Sequence, residues 1–122
     1  MKRRIYLSGG MSGIPRSEYR RRFREAETIL RRHGYGCINP CRVWPCRFPW
    51  LYRLMNALLG KRLTYATILA YDLILLMTRA DGIAMLPGWR ASRGAQIENY
   101  TARHFPLMGI SRQAAEEIDK IK

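Results

Sequence analysis

Acidic residues are scarce: 9 Asp and Glu stand against 22 Lys and Arg in 122 residues, leaving a net charge of +13. So few carboxylates cannot neutralise the basic side chains, which excludes an electrically balanced surface and predicts an anionic partner. Of the basic residues 18 are Arg, whose planar fork grips phosphate or carboxylate as Lys cannot. Cysteine is sparse and odd in number, with Cys37, Cys41 and Cys46 inside ten residues. An odd set argues against a disulfide scaffold, so the thiols read as reduced and the location as cytoplasmic. His33 beside these cysteines gives four residues of zinc-binding type. Cys37 falls in an expected strand, however, and Trp44-Pro45 interrupts the last interval, so free thiols and no metal are expected.

Long apolar runs are also missing. After Met1-Lys2-Arg3-Arg4 only Ile5-Tyr6-Leu7 is apolar, too little for the h-region of a signal peptide. The stretch from Ile68 to Met77 is broken by Asp72 and falls short of the ~20 residues that span a bilayer. Neither export nor a membrane is expected. The apolar fraction of 48% excludes wholesale disorder, and the length suits one domain over residues 1–122. No repeat or linker divides it.

What is present alternates. Ile5-Tyr6-Leu7 reads as a buried strand running into the loop Ser8-Gly9-Gly10-Met11-Ser12-Gly13. Pro15 and Ser17 introduce a helix with Tyr19, Phe23, Ala26, Ile29 and Leu30 on one stripe, stopped by Gly34. Gly36 to Asn39 predicts a second strand, ended by Pro40. Residues 41–63 read as a long loop with a short helix around Tyr52–Leu59, where Trp44, Phe48, Trp50 and Tyr52 form a lid or a subunit interface. A helix from Tyr65 to Thr78, a strand over Gly82–Leu86 and a Pro87-Gly88 breaker follow. Ser92 caps a helix through His104, Pro106–Ile110 reads as a last strand, and Ser111 caps a helix through Ile121. This order predicts a small three-layer α/β sandwich whose parallel sheet has four strands, or five.

In such sheets ligands sit in the loops beyond the carboxyl ends of the strands. The Ser8–Gly13 loop brings backbone N–H groups and a helix N-terminus to that edge, a place for an anion. It matches neither G-x-x-x-x-G-K nor G-x-G-x-x-G, so a tight structural turn explains it as well. Among the few acids, Asp72, Asp81 and Glu98 stand apart from the basic helix and the C-terminal tail. Asp72 interrupts an apolar helix, where a carboxylate is costly unless hydrogen-bonded or functional. Glu98 lies about one turn into a helix that starts at a strand's carboxyl end. Two carboxyls converging on one crevice suit glycosidic cleavage, one attacking and the other handling a proton. Ion pairs with the abundant Arg are the plain alternative for each acid.

Taken together, three blocks resemble the nucleoside 2-deoxyribosyltransferase-like family, in particular a short bacterial and phage branch. They are Ile5-Tyr-Leu-Ser-Gly-Gly-Met-Ser-Gly13, the stretch from Asp72 through Ala80-Asp81-Gly-Ile-Ala-Met-Leu86, and Leu86-Pro-Gly-Trp-Arg-Ala-Ser-Arg-Gly-Ala-Gln-Ile-Glu98. The likeness runs through most of residues 5–110, and the order Ser92, Gly94, Glu98 matches the family's S-x-G-x-x-x-E. The resemblance implies a flavodoxin-like or Rossmann-like arrangement with no cofactor. It makes Glu98 the nucleophile that holds the sugar as an ester. Asp72 becomes the acid near the leaving base or the group that orients the sugar hydroxyls, and Tyr6 and the Ser8–Gly13 loop line the sugar. Gly88, Trp89, Ser92 and Gly94 would face the substrate from the other side. Asp81 is either a structural acid at the strand start or a substrate-binding one.

The implied reaction splits a (deoxy)nucleoside or its 5′-monophosphate, passing the sugar to water or to another nucleobase. Arg16, Arg90 or Arg93 would meet a 5′-phosphate, and a homo-oligomer is expected. Two other classes stay open at this point. One is a nucleotide-binding accessory protein without turnover. The other is a nucleic-acid binder using Arg20–Arg24, Arg31, Arg32 and the aromatic and basic stretch from Arg42 to Arg53.

Overall fold

In the computed structural model residues 2–10, 14–42, 48–105 and 107–121 are described. Strand β1 (Arg4–Ser8) is central in a parallel sheet of order β2-β1-β3, with β2 at Gly36–Ile38 and β3 at Gly82–Met85. Ile5 to Ser8 are all buried, as expected of a parallel strand covered on both faces. Side chains alternate along it. Ile5 and Leu7 enter a core with Phe23, Leu30, Ala84 and Ile118, beneath helices α1 (Arg16–Arg32) and α4 (Arg112–Asp119). Tyr6 faces the opposite way, among Leu76, Ala80 and Ala102 of helices α2 (Pro49–Arg79) and α3 (Arg93–His104).

Among the described residues the sheet has three strands, not the four or five expected. The segment read as a last strand contributes one isolated parallel bridge, between Met108 and Gly82. Gly82 permits this close approach: a Cβ there would lie 2.5 Å from the Met108 carbonyl oxygen. No further pairing with β3 forms around Met108 among the described residues.

A second correction concerns residues 49–63, which are helical rather than a loop. Pro49 opens α2 at its first position, where a missing N–H costs nothing, and Leu51, Leu54, Met55, Leu58 and Leu59 carry it onward. The short helix expected around Tyr52–Leu59 is thus the first half of a long one. Gly60 breaks the helical path with φ 82° and ψ 159°, joining two segments at a kink. The expected caps of the other helices are present: Ser92 Oγ accepts from Ala95 N, and Ser111 Oγ accepts from Ala114 N, each at 3.3 Å.

One buried carboxylate ties α1 to the turn after β2. Glu27 accepts from Asn39 Nδ2 at 3.1 Å, from Arg42 Nη1 at 3.1 Å and from Arg31 Nη2 at 2.9 Å. Asn39 Oδ1 in turn accepts from Cys41 N at 2.9 Å, which shapes the 3-10 turn Pro40–Arg42. Both Arg side chains are more than half exposed and return to water when Glu27 is removed, whereas the buried Asn39 amide loses its acceptor. Glu27→Ala should therefore cost about 1–3 kcal/mol in urea denaturation, the range for stranding a buried polar group. A loss near zero would show that the network contributes nothing net.

Candidate functional site

Because residues two apart on a strand share a face, Tyr6 and Ser8 both point toward α3. There they meet Glu98, which is only 6% exposed. The Tyr6 hydroxyl donates to Glu98 Oε2, and Ser8 Oγ donates to Oε1 at 2.8 Å. Both carboxylate oxygens are thus held by hydroxyls of one strand. The carboxylate lies at the carboxyl edge of the sheet, one turn into α3. It borders a cavity of about 470 Å³.

The cavity opens between α1 and α2. Tyr6, Gly9, Ser92, Gly94 and Glu98 form its floor, and Asp72 with Tyr65, Ile68 and Leu69 of α2 forms one wall. Tyr19 and Phe23 of α1 stand opposite, with Arg16 at the start of that helix. Gly94 keeps the entrance to α3 narrow, since a Cβ there would lie 3.0 Å from the Tyr65 hydroxyl. The first turn of α3 borders the cavity through Ser92, Gly94 and Ala95, which adds partial positive charge.

Electrostatics separate the two acids. Burial pushes Asp72 up from its ordinary 3.8 to about 8, and the neighbouring Glu98 charge adds to the rise. Burial also raises Glu98, from 4.5 to about 7, while the hydrogen bonds from Tyr6 and Ser8 restrain it. Near neutrality Asp72 therefore keeps its proton and Glu98 shares in ionisation, an order that divides a carboxyl pair into a proton donor and an anion. Arg16 supplies a further unsatisfied group: its Nη2 is buried and has no hydrogen-bond partner among the described residues. A buried guanidinium nitrogen without an acceptor is costly alone, and it suits an anionic ligand oxygen.

The sequence-derived residues fall into three groups. Tyr6, Ser8, Gly9, Asp72, Ser92, Gly94 and Glu98 meet at the cavity or at its carboxylate, and a Cβ on Gly10 would lie 3.3 Å from Ser92 Cβ, next to that floor. Asp81 does not join them. Its Oδ2 accepts from Arg4 N at 2.9 Å and its own N–H donates to the Arg4 carbonyl at 2.8 Å, so it opens the β1–β3 pairing at the far end of the sheet. Of the two roles considered for Asp81, the structural one fits this position. Gly88 and Trp89 lie in the turn after β3, outside the cavity lining, with the Arg90 guanidinium over the Trp89 ring at 4.7 Å. Arg90 and Arg93 are exposed and likewise outside the lining, which leaves Arg16 as the basic residue of the three that reaches the cavity. Met11, Ser12 and Gly13 lie outside the described residues, as do Trp44 and Cys46.

Tyr65, which sequence reasoning did not assign to ligand binding, lines the cavity from the second half of α2, and Arg53, read there only as the end of a basic and aromatic stretch for nucleic acid, lines it from the first half. Their signal was the density of Arg and aromatic residues around Trp50, read as a lid but without a helical phase to say which side chains turn inward. Cys37 is chemically quiet, because burial pushes its thiol up to about 12 with Glu27 adding to the shift. No group of three or more metal-binding side chains occurs among the described residues, and no helix there is long and apolar enough to cross a membrane.

The family model described as "Domain of unknown function (DUF4406)" matches residues 3–110, a span that includes every described residue of the cavity. No curated protein and no solved structure gave a match.

Raised carboxyl pKa values make stability depend on pH in a definite direction. The folded state holds a proton on Asp72 that the unfolded chain releases near pH 4, so stability declines as pH rises from about 4 to about 8. Asp72→Asn removes the ionisation and should make the protein more resistant to urea than the parent at pH 8.5. The two should converge at pH 4. Equal or lower resistance of the variant at pH 8.5 would show that Asp72 is not desolvated.

Proposed function

We propose, for a chain that belongs to the DUF4406 family of domains of unknown function, that the site cleaves N-glycosidic bonds of nucleosides or nucleoside 5′-monophosphates. The observation that carries this reading is the buried Glu98 carboxylate, gripped by Tyr6 and Ser8 and facing the cavity beside a second, protonated acid. The likeness of the Ser92-x-Gly94-x-x-x-Glu98 block to nucleoside 2-deoxyribosyltransferases points the same way.

In this reading the Glu98 carboxylate attacks C1′ of the sugar while the C1′–N bond breaks. Asp72 delivers its proton to the departing nucleobase. The sugar then rests on Glu98 as an ester, and water or a second base displaces it, with Asp72 taking back a proton. Splitting one displacement into two through a carboxylate nucleophile is how retaining glycosidases lower the barrier. Tyr6 and Ser8 orient the carboxylate and keep enough of it ionised to attack. Arg16 and Arg53 supply positive charge for a 5′-phosphate. The chemistry asks for no cofactor or metal.

Association of copies is supported by apolar side chains left bare on α2, with Leu58 73% and Ile74 54% exposed.

The test is a product scan with purified protein, a panel of nucleosides and 5′-monophosphates, and chromatography for free base, with and without an acceptor base. Base release should fall about 10⁴-fold or more with Glu98→Gln. Absence of product from every substrate, by folded protein that still binds nucleotide, would make the site a binding pocket and overturn the enzymatic reading. The pH profile offers an independent check. Rate should rise as Glu98 ionises through about pH 7 and fall as Asp72 loses its proton through about pH 8. Tyr6→Phe removes a hydrogen bond that favours the charged Glu98, so the acid limb should move to higher pH. An unmoved limb would show that Glu98 is not the group titrating there.

A further inference from the structure

A mononucleotide bound in the cavity would leave the basic surface beside it unused. On α1, Arg16 lines the cavity, and Arg20 and Arg24 continue from it at intervals of four residues, each about 6 Å further along the helix. Arg20 and Arg24 thus lie one and two turns beyond the cavity residue Arg16 on the same helix, outside the cavity lining itself. Both side chains are exposed. The acids of the same helix are already engaged, Glu18 by Arg22 at 2.9 Å, Glu25 by Arg21 at 2.7 Å and Glu27 by Arg31 and Arg42. No carboxylate within salt-bridge distance faces Arg20 or Arg24 among the described residues.

The first half of α2 adds aromatic side chains to the cavity and its surroundings. Tyr52 and Arg53 turn into the cavity from the first half of α2, and Phe48 and Trp50 stand just before them with ring centroids 6.2 Å apart. Trp50 is 64% exposed, a large apolar surface left in water beside a basic mouth. Exposed guanidinium groups without carboxylate partners, leading from a cavity that Arg16 and the Tyr52 ring both line, are suited to neutralise successive phosphates while bases stack.

Given glycosidic chemistry at Glu98 and Asp72, on which this proposal rests, we infer that the substrate is a nucleotide within a single-stranded nucleic acid. Its backbone follows Arg16, Arg20 and Arg24, and its target base and sugar enter the cavity. An unpaired strand is the favoured form because turning one nucleotide out of a duplex must also break its pairing. The C1′–N bond breaks as the Glu98–C1′ bond forms, and Asp72 protonates the base. Water then hydrolyses the ester, leaving free base and an intact strand with a hydroxyl at C1′.

The test has a binding arm and a turnover arm. Glu98→Gln protein is titrated with a labelled single-stranded DNA or RNA oligonucleotide of mixed sequence over a range of salt concentrations. Affinity should fall with salt, and adding Arg20→Ala with Arg24→Ala should reduce the slope of log K against log salt by about 1.4, two phosphate contacts' worth. In the turnover arm, otherwise native protein and the Arg20→Ala/Arg24→Ala variant are incubated with the oligonucleotides and with mononucleotides. The double variant should lose release of base from strands and keep its rate on mononucleotides. Base from mononucleotides but none from any strand would overturn the inference and leave the glycosidic reading standing. A salt slope unchanged by the double substitution would overturn it too. No base from either substrate class would remove the glycosidic reading itself, and this inference with it.

Discussion

The Glu98 carboxylate between Tyr6 and Ser8 is the interaction around which the molecule is organised. A charged or half-charged group with 6% exposure is tolerated only if its oxygens are met by donors, and here one strand meets both. That requirement fixes the phase of α3 against β1 and the face on which Tyr6 lies. With Tyr6 committed to the α2–α3 side, Ile5 and Leu7 must turn to the α1–α4 side, which divides the core into its two halves. The same contact holds a carboxylate at the carboxyl edge of the sheet, bordering the cavity.

Much of this was legible in the sequence because the deciding patterns are local. The apolar stripe from Tyr19 to Leu30, the positive-φ Gly34 that ends α1, and the Ser92 and Ser111 caps depend on neighbours within a turn or two. The prominence of Asp72 and Glu98 followed from the rarity of acids and the cost of a carboxylate in apolar surroundings. Asp81 carried the same rarity and a different meaning. Its partner, the Arg4 backbone, is 77 residues away, and nothing local to Asp81 shows that it closes a sheet rather than lines a site.

The misreadings arose where long-range geometry decides. Residues 49–63 looked irregular because Pro49, Trp50 and Gly60 all weaken helical pattern, yet each sits where a helix accepts it: at the first turn, on an exposed face and at a break. The supposed strand at 106–110 had a suitable apolar run. Pairing it with β3, however, requires donors beyond the single bridge at Met108. The place of Arg53 and Tyr65 in the cavity lining is hidden for the same reason, since only the axis of α2 shows which of its residues look inward.

The break at Gly60 has a consequence for how such a chain diversifies. Asp72 and Tyr65 lie on the helical segment beyond it, and Tyr52 and Arg53 on the segment before it. Inserting or deleting one residue ahead of Gly60 would rotate the first segment by about 100° and present a different pair of side chains to the cavity. The second segment, anchored on the sheet through Leu76, would stay in phase. The two stretches of α2 that line the cavity are thereby carried on separately adjustable lengths of what is nominally one helix, so a change of register ahead of Gly60 would leave Asp72 in place.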